Sequence, residues 1–297
     1  MKKVPVLVSL IIVNVLLLLS IAIEGLRRHD CNKQPFVFKV HTNQQRIVGG
    51  RLALAGYYPF MAGIVIKERD MQANNSLQCG CAIIALTWVI TAAHCLTLIE
   101  QQDLSRDDVY ISAGHNMWTK GNKHYAILWT YHPKYDEDIL NNDIGLIRVK
   151  QQFNKKNEKP VALAAEKYKY LENKTVKILG WGVKSSKSKI VQQNLNVIEV
   201  QIFNHSYCQK LYRIHKEMVT KTMLCAGHPK GGRDACQFDS GGPMLDRSLL
   251  IGIISWGLDC GVKKQPGVYT KVSFYKKWII NVGEKANAPI KATYRNA

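Results

Sequence analysis

The chain has 297 residues, of which 46% are hydrophobic and 21% are charged, and 41 Lys and Arg against 22 Asp and Glu give a formal net charge of +19. These values exclude a disulfide miniprotein, which is much shorter, and an intrinsically disordered chain, which is less apolar. The length suits two small domains or one large all-β unit. The excess charge is uneven, because residues 151–297 alone carry a net charge of +15.

The N-terminus has the pattern of an export signal. Lys2 and Lys3 precede an apolar run from Val4 to Ile23. Small residues before the next bond predict cleavage after Ala22, so that residues 1–22 form a signal peptide. The alternative is an uncleaved anchor, since about 20 apolar residues can span a bilayer. The expected location is secreted and extracellular, and three Asn-x-Ser/Thr sequons fit it as glycosylation candidates: Asn74, Asn173 and Asn204.

Eight cysteines in an exported chain predict disulfides rather than metal or redox chemistry. They are Cys31, Cys79, Cys81, Cys95, Cys208, Cys225, Cys236 and Cys260. Cys79-Gly80-Cys81 is not a zinc knuckle, because no second pair of ligands follows at a suitable spacing. We therefore expect no metal and no cofactor.

Short apolar runs bounded by turn residues follow Arg46 and predict β-strands. They are Phe60 to Ile66, Ala82 to Thr91, Val109 to Ala113, Ile144 to Val149, Val176 to Gly180, Val197 to Phe203, Leu249 to Ser255 and Gly267 to Val272. Such regular short strands are typical of a β-sandwich or barrel. One helix is predicted near the end, where Ser273 can cap a segment through Ile280, and a polar, loose tail is expected beyond Gly283.

Lysine-rich stretches occur at residues 155–156, 167–169 and 184–189, each among polar or turn-forming residues. They are either solvated loops or a surface that docks onto an acidic substrate, a glycosaminoglycan or a membrane.

Two residues suggest a hydrogen-bonded imidazole and carboxylate. His94 ends an apolar strand between Ala93 and Cys95, and Asp143 stands at the head of the apolar strand that begins at Ile144. A buried carboxylate is costly unless it accepts hydrogen bonds, and the Nδ1 proton of a histidine would supply one. Taken alone, Asp143 could equally cap its strand.

Ser240 lies in the run from Asp234 to Pro243 and is followed by two glycines. A serine hydroxyl is a poor nucleophile until a base takes its proton, and the glycines let a substrate backbone approach. An α/β-hydrolase elbow would need glycine at position 238, where Phe238 stands, and the order His, Asp, Ser also differs from that fold.

From Ile47 to about Val282 the chain resembles the chymotrypsin family, specifically trypsin-like proteases secreted by insects and other arthropods. The motifs that carry the resemblance are Arg46 to Gly50, Thr91 to Cys95, Asp143 to Ile147, Gly180 to Gly182, Asp239 to Pro243, Ser255 to Gly257 and Pro266 to Tyr269. The resemblance implies an all-β fold of two packed six-stranded antiparallel barrels with a C-terminal helix. It also implies a prosegment at 23–46 and a peptidase domain at 47–297, with barrels at about 47–160 and 161–275 and a helix and tail at 273–297.

By this resemblance Ser240 is the nucleophile, His94 the general base and acid, and Asp143 the residue that orients and stabilises the imidazolium. Ser255 supports Asp143 with a hydrogen bond. The backbone N–H groups of Phe238 and Ser240 form the oxyanion hole.

The resemblance also implies the specificity and the activation of the enzyme. Asp234 lies at the base of the primary pocket and selects Arg or Lys, and Gly257 and Gly267 leave its walls open. Cleavage after Arg46 frees an Ile47 ammonium that pairs with Asp239 in the interior.

Family pairing assigns the disulfides Cys79–Cys95, Cys208–Cys225 and Cys236–Cys260. Cys31 and Cys81 either pair, tethering the prosegment, or remain free, and we favour a buried free thiol at Cys81.

Phe238 and one loop of the first half of the chain depart from the family pattern. Phe238 replaces a glycine, so that either the peptide flips and loses a donor or the ring projects toward the leaving-group side. Lys120, Lys123, His115 and His124 occupy the loop where similar trypsins hold calcium, so we expect no calcium site.

The sequence thus predicts a zymogen-type serine endopeptidase that cleaves after Arg or Lys. The alternative is a catalytically weak homologue that acts as a binding protein or cofactor on an anionic surface. Expected partners are protein substrates, protein inhibitors and an anionic polysaccharide or surface; we expect a monomer that binds no nucleic acid.

Overall fold

The computed structural model describes residues 50–67, 75–102, 104–183, 190–232 and 234–296. Its helices there are α1 (Ala93–Gln101), α2 (His205–Arg213) and α3 (Lys276–Lys285). The strands are β1 (Arg51–Leu52), β2 (Met61–Lys67), β3 (Asn75–Ala85), β4 (Trp88–Thr91), β5 (Val109–Ala113), β6 (Asn122–Tyr131), β7 (Gly145–Val149), β8 (Ala162–Ala164), β9 (Thr175–Gly180), β10 (Asn196–Ile202), β11 (Met223–Gly227), β12 (Pro243–Asp246), β13 (Leu249–Trp256), β14 (Gly267–Lys271) and β15 (Tyr294–Arg295).

The first barrel closes in the order β2-β3-β4-β7-β6-β5, with every neighbouring pair antiparallel. Its strands are rich in Ile, Val and Ala, and β4 and β5 are buried along their whole length. Burial on both sides is expected where the barrel interior is filled and the outer wall packs against the rest of the protein.

The second barrel closes in the order β12-β9-β10-β11-β14-β13, and β13 pairs again with β12. The strand β1 pairs with β10, so that the chain just after the predicted activation site is attached to the second barrel. Parallel pairing adds β8 to β13 and β15 to β8. The prediction of two six-stranded antiparallel barrels with a C-terminal helix is confirmed, with these short parallel additions.

Three local predictions were wrong. The run from Ala82 to Thr91 is not one strand, because it bends at Leu86 and Thr87 between β3 and β4. Two helices beyond the predicted one occur, α1 and α2. Ser273 does not cap α3, because it lies in a short 3-10 helix, where its hydroxyl accepts a hydrogen bond from Tyr170 at 3.1 Å.

The C-terminal tail is packed rather than loose. The Trp88 indole donates to the carbonyl of Ala288 at 3.0 Å, Leu163 N–H donates to the carbonyl of Thr293 at 2.7 Å, and Ile290 is only 7% exposed. The expectation failed because a few small and apolar residues were enough to fit this tail against the first barrel and β8.

The three disulfides pair as the family resemblance implies, Cys79–Cys95, Cys208–Cys225 and Cys236–Cys260. Cys81 has a free, buried thiol, as favoured from the sequence, and burial raises its pKa strongly. Cys31 lies outside the described residues, together with the predicted signal peptide, the prosegment and Asn74. None of the helices in the described ranges is long and apolar enough to span a membrane.

Two predicted glycosylation sites fall within the described residues. Asn173 and Asn204 are both exposed. Asn204 caps α2 by accepting from Tyr207 N–H at 3.0 Å, and its amide donates to Glu172 at 3.1 Å. Both asparagines therefore remain candidates for glycosylation.

Candidate active site

His94 and Asp143 form a buried hydrogen-bonded pair, as the sequence predicted. The Nδ1 atom of His94 lies 2.8 Å from Oδ2 of Asp143, and the backbone N–H of His94 donates to Oδ1 at 2.9 Å. Asp143 is fully buried and His94 nearly so. The two contacts fix both the side chain and the backbone of His94, so the imidazole is held in one orientation.

The second barrel holds Asp143 from the other side. Ser255 Oγ, near the end of β13, donates to Oδ2 of Asp143 at 2.5 Å, which is the support that the resemblance implied. Thr270 Oγ1 of β14 donates to the backbone carbonyl of Asp143 at 2.8 Å. Thr270 was missed from the sequence, because nothing in the residues around it indicates this contact. Asp143 therefore joins the two barrels at the site.

The conformation of the turn before β7 directs the Asp143 side chain into the interior. Leu140 and Asn142 both have positive φ, at 51° and 55°, and the Asn142 side chain donates to the carbonyl of Lys134 at 2.7 Å. Asparagine tolerates this left-handed conformation better than most residues. The strand β7 then begins two residues after Asp143, which leaves the carboxylate at its buried end.

The hydrogen bonds determine the ionisation of the pair. Burial alone lowers the pKa of His94, but the charge and hydrogen bond of Asp143 outweigh it, and the pKa of His94 is raised. Burial alone raises the pKa of Asp143, but the hydrogen bonds from His94 and Ser255 and the His94 charge lower it. Asp143 is therefore ionised at neutral pH, and Nδ1 of His94 carries the shared proton.

Ser240 lies in a turn clamped between the barrels. Its carbonyl accepts from Gly80 N–H of β3 at 2.8 Å, and Gly241 N–H donates to the carbonyl of Ile254 in β13 at 2.8 Å. Gly241 has φ +77°, and a Cβ there would lie 2.1 Å from Thr91 Oγ1. Only glycine fits, because the turn presses against β4 just before His94.

The structure does not join Ser240 to His94 directly. These two described residues share no hydrogen bond, and Nε2 of His94 lies 3.7 Å from the Cys95 sulfur. Such catalytic hydrogen bonds are often long in the absence of substrate and tighten when it binds. The Nε2 atom, Cys79 and Cys95 have the spacing of a metal site, but both sulfurs are oxidised in a disulfide and offer no thiolate ligand.

Phe238 adopts a left-handed backbone, with φ +71°. This conformation is strained for a bulky residue. Its half-buried ring packs against the core of the second barrel. The backbone N–H groups of Phe238 and Ser240 have no hydrogen-bond acceptor among the described residues.

Asp234 is buried at the base of the predicted specificity pocket. Ala235 N–H donates to its Oδ1 at 2.8 Å, and Tyr269 OH lies 3.5 Å from the same oxygen. Gly257 and Gly267 lie beside each other at the adjoining ends of β13 and β14. Burial raises the pKa of Asp234 to about 8, since these hydrogen bonds offset desolvation only in part.

Asp239 is buried, and its carboxylate lies against Gly180 and Gly182 of the Gly180-Trp181-Gly182 motif. Its oxygens accept from Gly182 N–H at 2.7 Å and from Cys236 N–H at 3.0 Å. A Cβ at Gly180 would lie 1.8 Å from Oδ1, which explains why glycine stands there. Burial raises the pKa of Asp239 to about 7.

A small gap beside Asp239 is too narrow to hold a water molecule. It is lined by Ile178, Leu179, Gly180, Asn196, Ile198, Asp239 and Ile254. The lining is mostly aliphatic, with the Asn196 amide and the Asp239 carboxylate as its polar side chains. Arg46 and Ile47, the predicted activation residues, lie outside the described residues.

Comparison with known proteins gives the family of the chain. The family model described as Trypsin matches residues 47–279. Trypsin alpha of Drosophila erecta is 30% identical over 80% of this chain and 87% of its own length. Mannan-binding lectin serine protease 1 of Mus musculus is 34% identical over 79% of this chain, which corresponds to only 35% of that longer protein.

A solved structure supports the same relationship. Neuropsin, a serine protease expressed in the limbic system of mouse brain, superposes with a TM-score of 0.67 and 31% identity over 79% of this chain and 98% of its own. Unrelated proteins can share a fold, but here the sequence also matches over most of the chain, which indicates membership of the same family. The chain therefore belongs to the trypsin family of serine proteases.

Proposed function

We propose that the chain is a secreted, zymogen-type serine endopeptidase that cleaves peptide bonds after Arg or Lys. The observation that carries the proposal is the buried His94–Asp143 pair, with Nδ1 and Oδ2 2.8 Å apart. An imidazole whose Nδ1 proton is held by a carboxylate presents the lone pair of Nε2 as a base.

In the proposed reaction Ser240 Oγ attacks the carbonyl carbon of the scissile bond while its proton passes to Nε2 of His94. The N–H groups of Phe238 and Ser240 stabilise the oxyanion, at about 3–4 kcal/mol for each donor in a related site. Collapse of the tetrahedral intermediate breaks the C–N bond, and the leaving amine takes the proton from His94. Water then repeats the sequence on the acyl-enzyme and restores Ser240.

Asp234 is the proposed selector for Arg or Lys. It is buried, and burial raises its pKa to about 8, which disfavours its charged form. A guanidinium or ammonium in the pocket would supply the missing counter-charge, whereas an apolar side chain would leave the carboxyl protonated. The pocket should therefore favour cationic residues most strongly above about pH 8.

Asp239 is the proposed activation switch. Cleavage after Arg46 would give Ile47 a free ammonium, for which the buried Asp239 carboxylate would be the counter-charge. The closely packed side chains beside Asp239 would have to move apart to admit Ile47. The new ion pair would draw the 236–240 turn into place and bring Ser240 toward His94. Residues 1–22 serve in this proposal as the signal peptide and residues 23–46 as the prosegment.

One observation favours a second function, that of a catalytically weak binding protein. Phe238, at the proposed oxyanion hole, has a strained backbone conformation with φ +71°. The two functions are separated by cutting the purified chain after Arg46 and measuring hydrolysis of Arg, Lys and Phe amides. Labelling with an organophosphate, with Ser240→Ala as the control, reports the nucleophile.

If the chain is a peptidase, the cut chain should hydrolyse the Arg and Lys amides rapidly, and the organophosphate should label it. Ser240→Ala should abolish this labelling. Absence of labelling in the cut chain would contradict the proposal and support the binding protein.

A further inference from the structure

The second half of the chain is more basic at its surface than its composition suggests. Residues 151–297 contain 25 basic and 10 acidic side chains. Four of these acids are buried: Glu158, Asp234, Asp239 and Asp246. Because buried carboxylates contribute little to the potential at the surface, a solvated polyanion meets mainly lysine and arginine.

Part of this charge is concentrated on the outer side of β14. Thr270 points inward to Asp143, so its neighbour Lys271 points outward, as expected for successive residues of a strand. Lys271 Nζ lies 5.5 Å from the Tyr170 ring and 5.6 Å from the Phe274 ring, and it donates to the carbonyl of Lys221 at 2.9 Å. Burial, and then the charge of Lys271, lower the pKa of His205 nearby.

A second set of basic residues lies on α3 and the C-terminal tail. Lys276 Nζ lies 5.1 Å from the Tyr294 ring, and Tyr294 and Arg295 form β15 beside β8. Lys277 and Arg295 are exposed. We call Lys221, Lys271, Lys276, Lys277 and Arg295, with the intervening Phe274, the basic face.

The composition of the basic face is unlike that of a protein interface. Protein interfaces are depleted in lysine and have an apolar centre. On the basic face the one large apolar side chain that is strongly exposed, among the described residues, is Phe274 at 51%. Lysine ammoniums are compact point charges on flexible stems, which suit anionic groups spaced along a chain, and a flat ring suits the face of a sugar.

We propose that the basic face binds a linear sulfated polysaccharide. Since Lys271 and Thr270 lie on opposite sides of β14, the bound polymer would sit behind Asp143 rather than in the cleft. The protein would then be retained on a polysaccharide matrix with its active site open to substrates. This binding does not depend on catalysis, so it can be tested whether or not the proposed peptidase activity is correct.

The test measures affinity for a heparin dodecasaccharide over a range of salt concentrations. The protein is the full chain carrying Ser240→Ala, which removes self-cleavage. We expect the triple variant Lys221→Gln, Lys276→Gln, Lys277→Gln to weaken binding at least tenfold at physiological salt. The slope of log Kd against log salt should fall by about 2, at about 0.7–0.9 per lost contact as measured for nucleic acids.

A matched variant removes the same charge from the first half of the chain: Lys120→Gln, Lys134→Gln, Lys150→Gln. These three lysines are exposed, whereas in the first variant Lys221 and Lys277 are exposed and Lys276 is half-buried. Each variant loses three positive charges, so the two have equal net charge. The matched variant should bind heparin like the parent chain. Equal weakening by both variants would overturn the proposal, because net charge rather than the basic face would then govern binding.

Competitors identify the class of polyanion. Dextran sulfate should displace heparin, whereas neutral dextran should not. Displacement by polyglutamate or duplex DNA at the same charge concentration would overturn the assignment to sulfated polysaccharide. Both triple variants should unfold at the same Tm as the parent chain. Weaker heparin binding by a first variant with an unchanged Tm then reports the basic face rather than damage to the fold.

Discussion

Three buried carboxylates around the candidate site differ in their ionisation, although desolvation acts on all of them. Asp143 has its pKa lowered, because His94 and Ser255 hydrogen-bond to it and His94 carries a compensating charge. The pKa of Asp234 is raised to about 8 and that of Asp239 to about 7, since backbone donors only partly offset their burial. The His94–Asp143 region is electrostatically complete, whereas the region of Asp234 and Asp239 contains no cation that pairs with them among the described residues.

This difference in pKa suggests the order in which the parts of the active site form. The barrels themselves supply every partner of Asp143, so the His94–Asp143 region can form when the chain folds. We infer that Asp234 and Asp239 receive their cations later, Asp234 from a substrate and Asp239 from the new N-terminus. The strained Phe238 lies between these two acids in sequence, in the region that remains incomplete.

The largest expected effect comes from removing the charge of Asp143, the carboxylate of the electrostatically complete region. We expect Asp143→Asn to lower kcat by about 10⁴-fold, as in a related triad, because the amide favours the wrong imidazole tautomer. The pKa of His94 should also fall, since Asp143 is what raises it against burial. Because the neutral imidazole is the base, the acid limb of kcat/KM for an Arg amide should move to lower pH.

The matched control is Asp246→Asn, which alters another buried carboxylate, bonded to Tyr168 and Lys174 away from the cleft. It should leave the pH profile in place. An unchanged acid limb in Asp143→Asn would contradict the assigned pairing.

The next effect tests the pocket. Asp234→Ser should reduce kcat/KM for an Arg amide by about 10²- to 10³-fold, in line with about 3–5 kcal/mol for breaking a buried ion pair. A Phe amide should be cleaved as well as before or better. Asp259→Asn, which neutralises a more exposed acid near the pocket, should change the Arg rate less than threefold. An Arg preference that survived Asp234→Ser would place the selector elsewhere.

Asp239 makes a prediction about stability and pH. An unfolded Asp titrates near 3.9, and the folded value is about 7, so the folded chain holds this proton more tightly. Its contribution to stability is therefore full below about pH 4 and is lost as the pH rises through 7. Between pH 5 and 8, the free energy of unfolding of the uncut chain should fall by about 2 kcal/mol more than in Asp239→Asn.

Urea unfolding of both chains at the two pH values measures this difference. After cleavage at Arg46, the ammonium of Ile47 should lower the pKa of Asp239 and remove the difference. A cut chain with the same pH dependence as the uncut chain would argue against this ion pair.

The sequence anticipated the complete region better than the incomplete one. His94 and Asp143 were singled out from their local sequence and Ser255 from the family resemblance, and the structure brings the three together. Thr270 was missed, because its bond to the Asp143 carbonyl depends on how β14 packs against the first barrel. The raised pKa values of Asp234 and Asp239 could not be predicted, since they depend on burial by segments distant in sequence.

The same distinction applies to the fold. Strands with dense aliphatic runs, such as β5, were located to the residue. The strand β6 was missed because polar residues and a buried His124 interrupt its pattern, and the turn between β3 and β4 was missed because Leu86 and Thr87 are not typical turn residues. Tertiary contacts, rather than local preference, order these segments and the C-terminal tail.

The smallest expected effect distinguishes the contribution of backbone strain at Phe238 from that of its aromatic ring. Phe238→Ala removes the ring but keeps a Cβ at φ +71°, whereas Phe238→Gly also relieves the strain. We expect the Gly variant to be more stable than the Ala variant by about 1 kcal/mol, or about 2–4 °C in Tm. It should also bind a protein inhibitor that covers the oxyanion hole about tenfold more tightly than the parent, with Ala between them. Equal stability of Gly and Ala would show that the turn carries no strain, and unchanged inhibitor affinity and turnover in Phe238→Gly would remove Phe238 from any role in recognition.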